Sequence, residues 1–309
     1  MIFPESRLLL AASIFVLALG LVSPHYMVPE AAEQRLALAT TSIICDLTRN
    51  VVGELWDVEC LVAPGQSPHT YEPTPEDMVK AAKAAVILYN GFAIDTWAVK
   101  LLSSQNMEKL HRVTEGLEPY LLKVPDGPYA GKEDPHMWMD VNLAIKYVER
   151  IRDIFIRQDP GNAETYRANA AAYIWELEAL DKWIRETVSQ LPQEKRVLVT
   201  QENAFQYFAR AYGFRVGAYF YSIATEIEPS PIDMVQAVEK VKQLGVCVFF
   251  VESTLSSRLL DSLIRETGGR LAGPLYVDGV GPRGSGAETY VSMMKVNVET
   301  IVAELMKSC

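Results

Sequence analysis

The chain has 309 residues, enough for about two domains at ~150 residues each. With 49% hydrophobic and 22% charged residues it has a globular composition, which excludes a disordered chain. Lys and Arg total 29 against 39 Asp and Glu, a formal net charge of −10 that argues against a nucleic-acid partner and suits a protein that handles cations.

Residues 8–22 (LLLAASIFVLALGLV) form an uncharged apolar run behind Arg7. The run is shorter than the ~20 residues of a membrane span and has the pattern of a secretory signal. An uncleaved signal anchor is the alternative. Residues 1–32 are therefore set apart as signal or anchor plus linker. The rest is expected in the periplasm or another extracytoplasmic space. No cysteine precedes Cys45, so a lipoprotein anchor at the leader is not expected.

Residues 36–44 (LALATTSII) predict a first strand, and 45–55 a helix with Leu47, Val51, Val52 and Leu55 near helical spacing. Residues 58–63 predict a short strand, followed by the turn-rich loop APGQSPHTYEP. Thr74 is an N-cap ahead of Pro75, Glu76 and Asp77, so a helix should run to about residue 84. Residues 86–89 predict a strand closed by Asn90-Gly91, and 95–102 a helix. Residues 118–135 are Pro/Gly-rich and predict a long loop, and 141–157 an amphipathic helix.

The longest helical pattern covers 162–190, between Pro160-Gly161 and Pro192, and carries Tyr173, Trp175, Leu177, Leu180 and Trp183. At 1.5 Å per residue it spans roughly 40 Å, more than one small domain needs. It reads as a strut between two lobes; a helix covering a single sheet is the alternative. The second half again alternates. Strands are expected at 196–200, 246–251 and 275–277, and helices at 203–212, 232–244, 257–267 and 288–306. Such alternation predicts an α/β fold, two open and mostly parallel α/β lobes. The expected bounds are 33–160 for the first lobe, 161–191 for the linking helix and 192–309 for the second lobe.

Four cysteines, Cys45, Cys60, Cys247 and Cys309, allow three full pairings, and export permits disulfides. A Cys45–Cys60 bridge would close a short loop. Cys247, inside VCVFFV, is expected to be a buried thiol. No C-x-x-C occurs, which argues against a redox or zinc-cysteine site.

In open α/β sheets ligands bind beyond the C-terminal ends of strands. Four metal-ligand residue types fall in such loops: His69 in SPHTYEP, His136 in DPHMWMD, Glu202 after RVLVT and Asp278 after LYV. Two lie in each half, so they can close on one ion between the lobes. Each also has a plain reading alone: a solvated loop histidine, a helix first-turn carboxylate, or a turn aspartate before Gly279. Asp140, Glu226 and Glu252 are candidates to brace a ligating histidine. Asp140 can instead cap the helix at Val141, and Asp134 can brace its loop.

These segments resemble the metal-binding solute-binding proteins of ABC transporters, the cluster A-I group for zinc and manganese. The matching stretches are SPHTYEPTPEDM, ILYNG, DPHMWMDVNLAIKYVERI, VTQENAFQYFARAYGF, FVEST and DGVGPRGSGAETYVSMMKVNVETI, in the family's order over about residues 36–306. The resemblance implies two α/β lobes joined by one long helix, and places the four metal ligands on His69, His136, Glu202 and Asp278. At the third position zinc-type members usually carry histidine and manganese-type members glutamate. Glu202 therefore implies manganese, with ferrous iron or zinc as neighbouring cargo. Oxygen ligands suit manganese, although raw affinity favours zinc at any given site. The loop before His136 also lacks the histidines that zinc-type members often carry there.

The resemblance implies a receptor that hands its metal to an inner-membrane ABC permease. No P-loop pattern occurs, so the ATPase is a separate protein. No nucleic-acid partner is expected, and a monomer is. A metallohydrolase or non-haem iron enzyme is the alternative from another class. Such a site keeps an open coordination position, which four protein ligands leave little room for. No catalytic residue is assigned and no enzyme activity is expected. A purely structural role would be indifferent to loss of the ligands.

Overall fold

The computed structural model describes residue 1 and residues 35–92, 94–102, 107–126, 129–221, 230–307 and 309. The expected leader, His25 and Glu226 lie outside the described residues. Among the described residues no helix is long and apolar enough to cross a membrane.

The chain opens with β1 (Arg35–Ala39), α1 (Ser42–Val52) and β2 (Trp56–Cys60). The first strand is shorter than its apolar run predicts, because the Thr41 side chain accepts the Ile44 N–H and starts the helix. Next come α2 (Pro75–Lys83), β3 (Val86–Tyr89), α3 (Thr96–Leu102) and β4 (Leu110–Arg112). The capping box expected at Thr74 is present, with Asp77 returning the bond. Strand β4 (LHR) is too short and polar to stand out in sequence. These strands form one parallel sheet in the order β2-β1-β3-β4, with Ala37 opposite Val58 and Val86.

Helix α4 (Val141–Gln158) follows, capped by Asp140, and then α5 (Ala163–Ser189). The 27 residues of α5 run about 40 Å. Its buried face repeats every three or four residues: Tyr166, Ala170, Tyr173, Leu177, Leu180, Ile184 and Val188. It packs on α1, α4 and α9. Trp175 is not part of that face and is 72% exposed.

After α5 come β5 (Val197–Val199), α6 (Gln206–Tyr212), β6 (Arg215–Ala218), α7 (Pro231–Leu244), β7 (Val248–Glu252), α8 (Arg258–Thr267), β8 (Arg270–Leu275) and α9 (Tyr290–Met306). The pairs β5–β6 and β7–β8 are parallel, and a parallel bridge from Thr200 to Phe250 sets β5 beside β7. Strand β8 starts earlier than expected, because Gly273 and Pro274 lie inside it at a bulge rather than ahead of it. Gly273 has φ +119°, and a Cβ there would come within 2.6 Å of the Val251 carbonyl oxygen.

One large core runs from α1 through α4 and α5 to α9, with Trp138, Tyr147, Tyr166, Phe208 and Tyr290 fully buried. A smaller cluster around Val199, Val241, Phe249 and Leu263 lies on the other side of the second half's strands. Two disulfides are present, Cys45–Cys60 and Cys247–Cys309. The second corrects the reading of Cys247 as a buried thiol. Cys247 sits just ahead of β7 and is only partly buried, and the chain beyond α9 brings Cys309 back to it.

Candidate metal centre

His69 lies in the loop between β2 and α2, and that loop is held stiffly. The Trp97 indole N–H donates to the Pro68 carbonyl at 3.2 Å, and the Tyr71 ring tilts on Trp97 at 4.9 Å. The Tyr71 hydroxyl donates to Asp77, the same carboxylate that closes the α2 capping box. The Gly65 N–H donates to the Val280 carbonyl, so the loop also reaches the far half of the chain.

His136 sits in front of a single 3-10 turn, Met137–Met139, and is fully buried. Asp134, two residues earlier, accepts from both its main-chain N–H (3.0 Å) and its Nδ1 (2.8 Å). In the neutral ring that contact favours the proton on Nδ1 and leaves the Nε2 lone pair for a metal ion. Glu202 follows β5 and is fully buried; its N–H donates to Glu252 at 2.8 Å. Asp278 follows β8 and is 2% exposed; its Oδ2 accepts from Ser67 at 3.4 Å.

The fold brings these four side chains together. Nε2 of His69 lies 3.3 Å from Glu202 Oε1 and 3.6 Å from Asp278 Oδ1. Nε2 of His136 lies 3.3 and 3.5 Å from the same two oxygens. One ligand atom from each residue falls within 4.8 Å of all the others. Both Nε2 atoms, both Glu202 oxygens and Asp278 Oδ1 are buried without a hydrogen-bond partner. Orphaned buried polar atoms are expensive, and four of these, one from each residue, converge on one point, an arrangement that a shared cation would satisfy. Donors at about 2.1 Å from a divalent ion, arranged as a tetrahedron, would stand about 3.4 Å apart. The observed spacing fits that. The second Glu202 oxygen is also buried without a hydrogen-bond partner.

The electrostatics agree. Burial alone would lower the pKa of His69, but the charges of Glu202 and Asp278 outweigh it and raise it to about 10. Burial likewise opposes protonation of His136, but Asp134, Asp278 and Glu202 hold its pKa well above the usual imidazole range. Burial would raise the pKa of Asp278, yet the two imidazoles keep it well below the usual carboxylate range. The site is built for positive charge, and without a metal ion protons on the histidines supply it. A divalent ion would supply it with both imidazoles neutral.

The candidates for bracing residues divide differently from the sequence reading. Asp140 caps α4, accepting from the Asn142 N–H, and Asp134 braces the histidine. Glu252 braces the main chain of Glu202 rather than an imidazole. Ser67, Gln206 and Tyr207 were not singled out by sequence, yet each bonds the site's framework. Only the Asp-x-His spacing could have flagged Asp134. His111 lies on β4, with its ring facing Gln158.

Comparison with known proteins agrees with this geometry. The family model for the periplasmic zinc-uptake complex component A matches residues 38–304. The manganese-binding lipoprotein MntA of Halalkalibacterium halodurans is 38% identical over 265 residues, covering 85% of this chain and 86% of that one. The iron-binding protein YfeA of Yersinia pestis is 37% identical over 88% of this chain and 86% of its own. The periplasmic zinc-binding protein TroA of Treponema pallidum superposes with a TM-score of 0.82 at 30% identity, over 88% of this chain and 99% of that one.

Proposed function

We propose that this chain, which belongs to the family of the periplasmic zinc-uptake complex component A, is the extracytoplasmic receptor of an ABC importer for manganese. It captures Mn²⁺ on His69, His136, Glu202 and Asp278 and delivers it to a membrane permease driven by a separate ATPase. The observation that carries this reading is the set of five buried, unpartnered donor atoms on those four residues. Relatives named for manganese and for iron match over most of the chain.

Manganese is favoured over zinc by the donor set. Two imidazoles and two carboxylates make a hard, oxygen-rich site. The two carboxylates cancel the charge of a divalent ion. Glu202 can bind through both oxygens, which gives five donors where tetrahedral zinc needs four. Ferrous iron shares these preferences and is the second cargo to consider.

The chain before and after α5 forms two α/β lobes, 33–160 and 192–309, with 161–191 as the link between them. Two ligands come from each lobe. With α5 packed along its length on both sides of the link, release needs only small movements near the site. The relatives bind metals for transport, and the chain is read as a receptor and not an enzyme.

The test is manganese uptake by cells that lack this chain. Uptake restored by the wild type and not by Asp278→Ala supports the reading. Equal restoration by both contradicts it.

A further inference from the structure

The stretch around His136 is tied to its own half, where the Asp134 N–H donates to the Leu122 carbonyl and Asn90 donates to the Pro135 carbonyl, and it is also tied directly to the second half. Asp134, which holds the imidazole at Nδ1, has its other oxygen on Gln206: the Gln206 Nε2 donates to Asp134 Oδ2 at 2.7 Å. The neighbouring Tyr207 is fully buried, and its hydroxyl donates to the Asp134 carbonyl at 2.9 Å while accepting the Leu122 N–H. Gln206 and Tyr207 open α6, the helix that begins just after Glu202. On its other side, the Trp138 indole N–H donates to the carbonyl of Val277, the residue before Asp278, at 2.8 Å. The stretch Asp134–Trp138 is therefore clamped between the segments that carry the third and fourth candidate ligands.

We infer that Gln206 and Tyr207 are positioning residues for metal capture: they fix the His136 imidazole, through Asp134, to the helix that follows Glu202. This rests on the metal-receptor reading above and extends it. A carboxylate that bonds a ligating imidazole sets its orientation and basicity. Here that carboxylate is itself aimed by Gln206, which leaves Asp134 Oδ1 pointing at Nδ1. His136 and Glu202 then move as one unit, while the His69 loop is tied to the Asp278 segment through Ser67 and Gly65. Any shift of α6 that moves Glu202 also moves the carboxylate that aims His136, so the two ligands loosen together.

The test is made on the purified full chain with Mn²⁺ as ligand and Co²⁺ as a spectroscopic probe of ligand geometry. Gln206→Leu keeps the shape and removes the donor. It should weaken Mn²⁺ binding by about tenfold, the lower end for groups behind a metal ligand. The loss should come from faster dissociation into a chelator. The visible bands of bound Co²⁺ should change, and the metal-free melting temperature should fall by several degrees, since a buried Asp134 oxygen loses its donor. Tyr207→Phe should change the Co²⁺ bands in the same sense. If Gln206→Leu does not fold, Gln206→Glu is read the same way, since it sets a second carboxylate against Asp134. Wild-type affinity and wild-type Co²⁺ bands in these variants would overturn the inference alone. Weaker binding with unchanged bands would also overturn it. A wild-type chain that binds neither Mn²⁺ nor Co²⁺ would overturn the receptor reading, and this inference with it.

Discussion

His69 Nε2 stands 3.3 Å from Glu202 Oε1, and both atoms are buried without a hydrogen bond. An imidazole from before the long helix and a carboxylate from after it thus meet at one point. His136 and Asp278 close on the same point at similar distances, so the site's predictions follow from how four donors share one positive charge.

Removing one ligand should be costly. His69→Ala or Asp278→Ala leaves three donors and, in the second case, an uncompensated charge on a bound ion. Each should weaken Mn²⁺ binding by more than about tenfold, since even the groups behind a ligand are worth that much. Competition titration against a chelator of known affinity checks this. Wild-type affinity in both variants would rule out the assigned site.

Binding should release protons and depend on pH. The metal-free chain holds a proton on His69 up to about pH 10, because the carboxylates stabilise the imidazolium. A protonated imidazole cannot ligate, so the incoming ion must displace it. Affinity should therefore rise with pH from the acid side through neutrality and toward about 10, beyond the ordinary histidine range near ~6.5. Calorimetry in buffers of different ionisation enthalpy should count at least about one proton released per ion at pH 7. An affinity flat between pH 5 and 8 would contradict histidine ligation.

The same protons stabilise the metal-free fold, with a definite sign. The His69 pKa is higher folded than unfolded, so its contribution is complete below about 6.5 and disappears as pH rises through about 10. The melting temperature of the metal-free chain should fall over that window. With saturating Mn²⁺ the fall should be smaller, because the ion replaces the protons. Parallel curves for the two forms would mean that the histidines and the ion do not compete.

Glu202→His converts the donor set to three imidazoles and one carboxylate. It should move the Mn/Zn affinity ratio toward zinc, since softer nitrogen donors favour that ion and the second Glu202 oxygen is lost. Direct competition between the two ions measures the ratio. An unchanged ratio would mean that site geometry, and not ligand type, sets selectivity.

Neither disulfide contributes an atom to the cluster of four candidate ligands. In the chain-entropy model the Cys45–Cys60 loop, with 15 residues of separation, contributes about 3 kcal/mol. The Cys247–Cys309 loop, with 62, contributes about 4 kcal/mol. Cys309→Ser should lower the denaturant midpoint and leave Mn²⁺ affinity unchanged. A large loss of affinity would place the C-terminal tail in the metal's path.

Most elements were legible because their apolar periods are long and their ends are marked. Thr74-Pro75 and Pro160-Gly161 announce helix starts in chemistry that does not depend on the rest of the fold. β4 and β6 were not legible, since LHR and RVGA pair through the backbone and carry almost no apolar signal. The alternation of strands and helices also indicated which loops lie at strand ends, where His69, Glu202 and Asp278 stand. Sequence could not give the geometry that turns four scattered residues into one site. Nor could it give the pairing of Cys247, which depends on where the chain after α9 returns. Gln206 looks like any polar helix residue until Asp134 is seen 2.7 Å away.

The most direct measurement is the metal content of the chain taken from its native compartment, by mass spectrometry, with Mn²⁺, Fe²⁺ and Zn²⁺ competition on the stripped protein. About one manganese per chain is expected from the native compartment, removable by chelator, with zinc able to displace it on the stripped protein because raw affinity favours zinc. A chain that carries no metal and takes up none of the three ions on titration would contradict this expectation.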